Sequence, residues 1–408
     1  MSLERNISKF GYTRAVIFTK TKDAKKSASL EKRRLEEMFS TSFSNDTKVS
    51  LNNEWKERPY RYFESLGVYF GIMDNKGLKG AQETGINVYS PQTPTFIRPV
   101  GGRLAMAAGP STYGLEMLGI EEIWKTGLDG KGVKVGHLDT GIDPKHPALR
   151  GKLEAWIDTN PRDGDIIQDG RPPEEAAYDE IDNPPFTVSH GTHTAGTIAG
   201  GLTNGMAIGV APGCRLCSGK VIEGNAVPRV LTGLEWIIKK GCRVLSMSLG
   251  FRGDDDTWDG LMESLRANGV VPCIAAGNEG ENSIRSPGSS PGALTVGAID
   301  SNKRVADFSS SMRVQGKSLP EYVCPGVGVQ SAKNGGGLQE MDGTSMATPH
   351  VAGIIAILVQ AYPDATVDQI EQAITNSCEE LPPPEIRERY GNGLVNPTRA
   401  LEYLKNNS

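Results

Sequence analysis

Apolar and polar positions divide the chain into two regimes. Before about residue 90, short apolar runs alternate with charged stretches: TRAVIFT over 13–19, VYFGIM over Val68–Met73 and the segment Ile86–Tyr89 read as strands, and 23–39 and 77–84 as helices. That pattern predicts a small α+β unit. Residues 91–112 are rich in Pro, Gly, Ala and Ser and read as a linker. Beyond it, β-rich runs at Val133–Leu138, Val210–Ile222, Arg243–Leu249, Val270–Ala276 and Leu294–Ile299 alternate with helical stretches at 227–240 and 257–268. Such alternation predicts right-handed βαβ units and a parallel sheet covered on both faces. Its chemistry is expected beyond the carboxyl ends of the strands. A last helix fits 366–379, with Thr366 as N-cap.

Composition narrows the class. With 38% hydrophobic and 23% charged residues in 408, the chain can bury a core and is not broadly disordered. A net charge of −5 argues against a nucleic-acid partner. The charge is uneven: residues 1–107 hold 18 Lys/Arg and 11 Asp/Glu, and the remainder 26 and 38. A basic front and an acidic body attract each other. The longest apolar stretch, Val351–Val359, is too short to span a bilayer, so no membrane is expected. The N-terminus carries no apolar signal-peptide core. Cys214 and Cys217 form a CxxC with no second pair to complete a zinc site, and six cysteines read as buried thiols. The expected location is intracellular, or secreted if a signal was removed.

Three segments carry candidate chemistry. VGHLDTGID puts Asp139 at the end of a buried strand. SHGTHTAGTIAG opens a small-residue helix at His190. DGTSMATPHVAG puts Ser345 at the start of an apolar helix, whose unpaired N–H groups and positive dipole end suit a developing oxyanion. Each alone reads as a structural residue. Together they supply a nucleophile, a base and a carboxylate to orient the base. AAGNEG adds Asn278, whose amide can donate to an oxyanion beside the Ser345 N–H.

These motifs, with VLSMSLG and a YGNGLVNP close, resemble the subtilisin family of serine proteases over about 108–402. The resemblance implies a three-layer α/β fold with a mainly parallel sheet. It implies a serine endopeptidase with Asp139, His190 and Ser345 as triad and Asn278 as oxyanion donor. His146, His193 and His350 fall on structural positions. Ser248-Leu249-Gly250 and Ala275-Ala276-Gly277 match the backbone segments lining the P1 pocket, and a peptide or protein substrate is expected to add as a strand. Residues 1–107 resemble a ferredoxin-like propeptide acting as chaperone and intramolecular inhibitor, and 108–408 form the peptidase domain. The resemblance places the mature N-terminus near Ala108. Leu104-Ala105-Met106-Ala107 is expected to thread the active site, with Leu104 in an apolar P4 pocket and self-cleavage after Met106, Ala107 or a neighbour.

Several positions depart from the family pattern. Ala148 stands where a calcium-binding Asp is usual, and the 201–207 loop offers Thr203 and Asn204, so the tight calcium site is expected to be lost and no cofactor is required for catalysis. Asp139 and His190 are 51 apart, and the extra segment 150–187 holds 10 acidic and 4 basic residues; it reads as a surface loop, a lid or a metal site, although Asp163-Gly164-Asp165 with Asp169 lacks EF-hand spacing. Arg285 falls near the floor of the P1 pocket with Glu279 at its rim. Unpaired, it would favour an acidic P1 residue; paired with Glu279 or snorkelling to solvent, it would not. A specialised processing or peptide-transferring protease and a peptide-binding pseudoenzyme are the rival readings.

Overall fold

The computed structural model describes residues 3–10, 12–18, 28–39, 59–90, 95–97, 99–107, 109–159, 166–167, 171–179, 189–222 and 226–407. The chain forms two compact units, residues 1–93 and 94–408. The division falls ahead of the expected 107/108 boundary because Thr95–Phe96 and Gly101–Ala105 pair as strands within the second unit.

In the first unit Val68–Met73 is the central strand between Thr13–Phe18 and Tyr60–Phe63, all antiparallel. Every residue of the central strand is buried. Tyr89 pairs with Val16 on the outer edge of the first strand, N to O in both directions at 2.9 and 3.0 Å. With helices Ala28–Phe39 and Asn75–Glu83, the order follows the expected ferredoxin-like βαββαβ pattern, with the expected Ile86–Tyr89 strand reduced to this single bridge at Tyr89. Two elements escaped the hydrophobic pattern, the helix Leu3–Phe10 and the strand Tyr60–Phe63. The strand sits in a charge-dense stretch and, buried only at Phe63, shows no alternation. Residues 23–27 of the expected first helix lie outside the described residues.

The second unit is built on eight strands: β1 (Lys134–Asp139), β2 (Leu153–Thr159), β3 (Ile166–Ile167), β4 (Arg215–Lys220), β5 (Val244–Met247), β6 (Val271–Ala275), β7 (Leu294–Ile299) and β8 (Tyr322–Pro325). Their spatial order is β8-β7-β6-β5-β1-β4-β2-β3. All neighbours run parallel except the β2–β3 edge. Chain order reverses about β1, which lies between β4 and β5. The carboxyl end of β1 is therefore the topological switch point where such sheets open a crevice.

The two-residue period of β1 sorts the layers. His137 bonds Thr194 of helix α1 (His190–Ala199), and Val135 shares a core with Ile198 and with Val351 of helix α2 (Thr344–Ala361). Gly136 and Leu138 face the opposite layer, helix Ala226–Lys239. A Cβ on Gly136 would lie 2.9 Å from Ile237, so the glycine permits this close approach. Helix α2, 18 residues long, is apolar enough in composition to cross a membrane, but 89% of it is buried, as in a core helix. Pro349 lies one turn deeper than a harmless first position. It cannot donate to the Ser345 carbonyl four residues back, and the Ser248 hydroxyl fills that place at 3.1 Å.

Candidate active site

Asp139 ends β1, buried to 1% exposure. Its Oδ1 accepts from His190 Nδ1 at 2.6 Å and from Thr140 N at 2.7 Å. Its Oδ2 accepts from the Thr194 hydroxyl at 3.2 Å. Burial alone would raise the Asp139 pKa, but the charge and hydrogen bond of His190, with help from His137 and Thr140 N, outweigh it and hold the carboxyl below its ordinary value. His190 opens α1 after Ser189, whose φ of 117° turns the chain sharply into the helix. The small residues of α1 let it pack closely: a Cβ on Gly196 would lie 2.5 Å from Ser331 Oγ.

Ser345 is the second residue of α2 and fully buried. Asn278 follows β6, and its Oδ1 accepts from both the N–H and the hydroxyl of Thr344, each at 2.9 Å. Those two bonds leave the Asn278 NH₂ as the end facing the site. A Cβ added to Gly343 would sit 3.1 Å from Asn278 Nδ2 and 3.7 Å from Ser345 N, so both donors border one small space. Two N–H donors bordering one space, one of them at a helix start, are suited to a developing oxyanion.

Strand Leu249–Arg252 runs past this space. Thr95–Phe96 pairs with it antiparallel, Phe96 opposite Leu249 and Thr95 opposite Gly250. Ile97 follows, fully buried, and its carbonyl oxygen lies 3.4 Å from Ser345 Oγ. The segment thus occupies the edge of the strand expected from the sequence to receive a substrate. This corrects the expectation for Leu104–Ala107. Residues Gly101–Ala105 instead pair with Leu338–Asp342, a register anchored by Val100 N donating to the Asp342 carbonyl at 2.8 Å. Leu104 is 75% and Met106 83% exposed, so neither fills a pocket. Ala108 lies outside the described residues.

Arg285 is buried and paired. Its Nε contacts both Glu279 carboxylate oxygens, at 3.0 and 3.1 Å, Nη2 also bonds Glu279, and Nη1 donates to the Gly250 carbonyl at 3.0 Å. Burial would raise the Glu279 pKa, but Arg285 outweighs it and the carboxyl is held low. A Cβ on Gly277 would lie 3.0 Å from Arg285 Cγ, so the side chain spans from Ala275-Ala276-Gly277 to Ser248-Leu249-Gly250. Of the readings left open by the sequence, the structure has the neutralised pair.

The extra segment sends one carboxylate into the interior. Asp179 is 1% exposed; its Oδ1 accepts from the Thr140 hydroxyl at 2.8 Å, and its Oδ2 from Thr192 N at 2.8 Å and Thr192 Oγ1 at 2.6 Å. Burial pushes its pKa up against the pull of those bonds. Asp179 thereby ties the residue after Asp139 to the first turn of α1. Asp163, Gly164, Asp165 and Asp169 lie outside the described residues.

Three other histidines serve backbone groups. His193 Nε2 bonds the carbonyls of Val329 and Gln339 at 2.9 and 3.1 Å, His146 Nε2 that of Gly337 at 2.7 Å, and His350 Nδ1 that of Met346 at 2.8 Å. Ala148 is buried, and its carbonyl accepts from Gly201 N at 2.9 Å, closing the 201–207 loop directly onto it. Among the described residues the buried Thr203 hydroxyl there has no hydrogen-bond partner. A neutral hydroxyl and the Asn204 amide, with no carboxylate, do not fit a tight calcium site. Among the described residues no group of three or more His, Cys, Asp or Glu could share an ion.

Sequence reasoning missed Asp179, Thr140, Thr194 and His137. His137 had a signal: two residues before Asp139 on one strand, it shares the carboxylate's face. It is buried, bonds Ser218 Oγ and Thr194 Oγ1 at 2.9 Å each, and lies 3.9 Å from Asp139 Oδ2.

A parallel sheet with a carboxylate at its switch point, a histidine bonded to it and a serine at a helix start beside an amide donor defines a subtilisin-like serine endopeptidase. The chain belongs to the subtilase family, whose model matches residues 130–393. It is 33% identical to the thermostable alkaline protease of Halalkalibacterium halodurans, over 71% of this chain and 73% of that protein. It is 37% identical to subtilisin BL of Lederbergia lenta, over 66% and 91%. With subtilisin E of Bacillus subtilis the identity is 33%, over 71% of each. Subtilases need no cofactor for catalysis.

Proposed function

We propose that the chain is a self-processing precursor of a serine endopeptidase, working through an Asp139–His190–Ser345 triad and cutting its own Ile97–Arg98 bond. The observation that carries this reading is the Ile97 carbonyl oxygen 3.4 Å from Ser345 Oγ, on a segment paired antiparallel with Leu249–Gly250. Ser345 Oγ attacks the carbonyl carbon, and His190 takes its proton and returns it to the leaving amine. Asp139 holds His190 with Nδ1–H toward the carboxylate and stabilises the charged ring. The oxyanion is bound by Asn278 Nδ2 and Ser345 N. Water then hydrolyses the acyl-enzyme by the reverse proton path.

The P1 site lies between Ser248-Leu249-Gly250 and Ala275-Ala276-Gly277. The Arg285–Glu279 pair at its side carries no net charge, which supports an apolar P1 residue such as Ile97 rather than an acidic one. Residues 1–93, a separate compact unit ahead of the seated segment, act as the intramolecular inhibitor and folding aid. Their excess of positive charge, against the acidic remainder, supports that role. Protein and peptide substrates replace the segment once it leaves.

The test is N-terminal sequencing and intact mass of the purified chain, with and without Ser345→Ala. The expected result is a new N-terminus at Arg98 in the parent and one intact chain in the variant. An active parent that stays intact, or a cut persisting in Ser345→Ala, refutes the reading.

A further inference from the structure

His137 is a buried titratable group for which the reaction above has no use. Its ring is 1% exposed on the sheet face shared with Asp139. Burial pushes its pKa down to about 4, against the pull of Asp139, so at neutral pH it carries one N–H. Which nitrogen holds that hydrogen follows from its neighbours.

Both strong donors to Asp139, His190 Nδ1 and Thr140 N, address Oδ1. Among the described residues, the Thr194 hydroxyl is the hydrogen-bond donor found for Oδ2, at 3.2 Å. That hydroxyl has a single hydrogen and three neighbours: Asp139 Oδ2, the Gly191 carbonyl at 3.1 Å and His137 Nε2 at 2.9 Å. Were His137 protonated on Nδ1, its bare Nε2 would claim the Thr194 hydrogen. Asp139 Oδ2, buried and charged, would then face a lone pair. Protonated on Nε2, His137 instead donates to Thr194 Oγ1 and frees its hydrogen for Asp139. The Ser218 hydroxyl, buried 2.9 Å from Nδ1, completes the line by donating to the bare nitrogen.

We propose that His137 is a positioning residue of the catalytic relay: held as the Nε2–H tautomer by Ser218, it turns the Thr194 hydroxyl onto Asp139 Oδ2 and so fixes the carboxylate that orients His190. The relay runs Ser218, His137, Thr194, Asp139, His190, and every hydrogen in it points toward the carboxylate. The inference rests on the triad reading for its catalytic consequence, but the tautomer does not.

Two measurements test it. In the full chain carrying Ser345→Ala, which prevents self-digestion, ¹⁵N shifts of the His137 ring report its tautomer at pH 7; its signals are identified by their loss in His137→Gln. Nε2–H is expected, and Nδ1–H overturns the proposal. In the active chain, Thr194→Val should lower kcat roughly ten- to a hundredfold with KM nearly unchanged, the worth of one hydrogen bond to a buried charge. His137→Leu should lower kcat in the same direction, and His137→Gln, which can donate to Thr194 and accept from Ser218, should restore most of it. The double variant His137→Leu/Thr194→Val should be no slower than Thr194→Val alone. Additive losses, or a loss of thermal stability with kcat unmoved, would show a structural residue only. Failure of the triad reading is seen separately, as turnover that survives Ser345→Ala.

Discussion

Replacing Glu279 by Gln tests what the Arg285–Glu279 pair does to specificity. The change keeps the side chain's size and one carbonyl acceptor but removes the charge facing Arg285, which is 4% exposed and fixed by Nη1 on the Gly250 carbonyl. The guanidinium cannot shed its proton, so the P1 site gains a net positive charge. At an effective dielectric of about 20, a unit opposite charge is attracted by about 4 kcal/mol at 4 Å and about 2 kcal/mol at 8 Å. Glu279 is 27% exposed, so solvent and salt reach the pair and reduce this to roughly 1–3 kcal/mol. That corresponds to a rise of roughly five- to a hundredfold in kcat/KM for a P1 Glu substrate relative to its P1 Gln counterpart. The assay compares those two peptides in parent and variant at low and high salt. A ratio that moves less than twofold, or shows no salt dependence, would mean that Arg285 does not face the P1 side chain. The pair also stabilises the fold. Because the folded Glu279 pKa is lowered, that contribution is complete above the unfolded Glu pKa and is lost as pH falls through the lower folded value.

Asn278→Ala should lower kcat about 10²–10³-fold while KM changes little, since its amide acts on the oxyanion; this magnitude comes from the corresponding subtilisin substitution, and a pure KM effect would make Asn278 a binding residue. Asp179→Ala strands three donors on Thr140 and Thr192, each worth about 1–3 kcal/mol, though it also removes a buried charge. It should therefore lower both unfolding stability, read by denaturant titration in the Ser345→Ala chain, and kcat in the active chain; stability unchanged within about 0.5 kcal/mol would show that the insert does not brace the site.

Much of the site was legible because its chemistry sits at element boundaries with strong local patterns. Asp139 ends an apolar strand, His190 starts a run of small residues, and Ser345 starts the most apolar helix. Asn278 follows a strand in a Gly-flanked turn. The seated segment was not legible: Thr95, Phe96 and Ile97 resemble any linker residues, and only pairing with a strand more than 150 positions away distinguishes them. Leu104 and Met106 misled because apolar character in a linker suggests a pocket, whereas here it faces solvent. Asp179 could not be singled out among the 10 acidic residues of its segment, since burial depends on where the loop re-enters the core. The Arg285–Glu279 question needed geometry because the same two residues support opposite charge states of one pocket.

The pairing of Gly101–Ala105 with Leu338–Asp342 bears on the kinetics of maturation. An ordinary substrate loses its leaving half by diffusion, and dilution makes the cut irreversible. If the Ile97–Arg98 bond is cut as proposed, the half that begins at Arg98 would stay laced, through Val100 N and a five-residue ladder, to the strand leading directly into Ser345. The new amine would then be held at an effective concentration of about millimolar or more, so it would compete with water for the acyl-enzyme and could reseal the bond. Commitment then depends on a strand edge fraying, with the exposed side chains of Leu104 and Met106 offering little resistance. On the proposed cut, the slow step of maturation would be mechanical, the peeling of one short strand, and its rate should follow the strength of that ladder more than the speed of the chemistry.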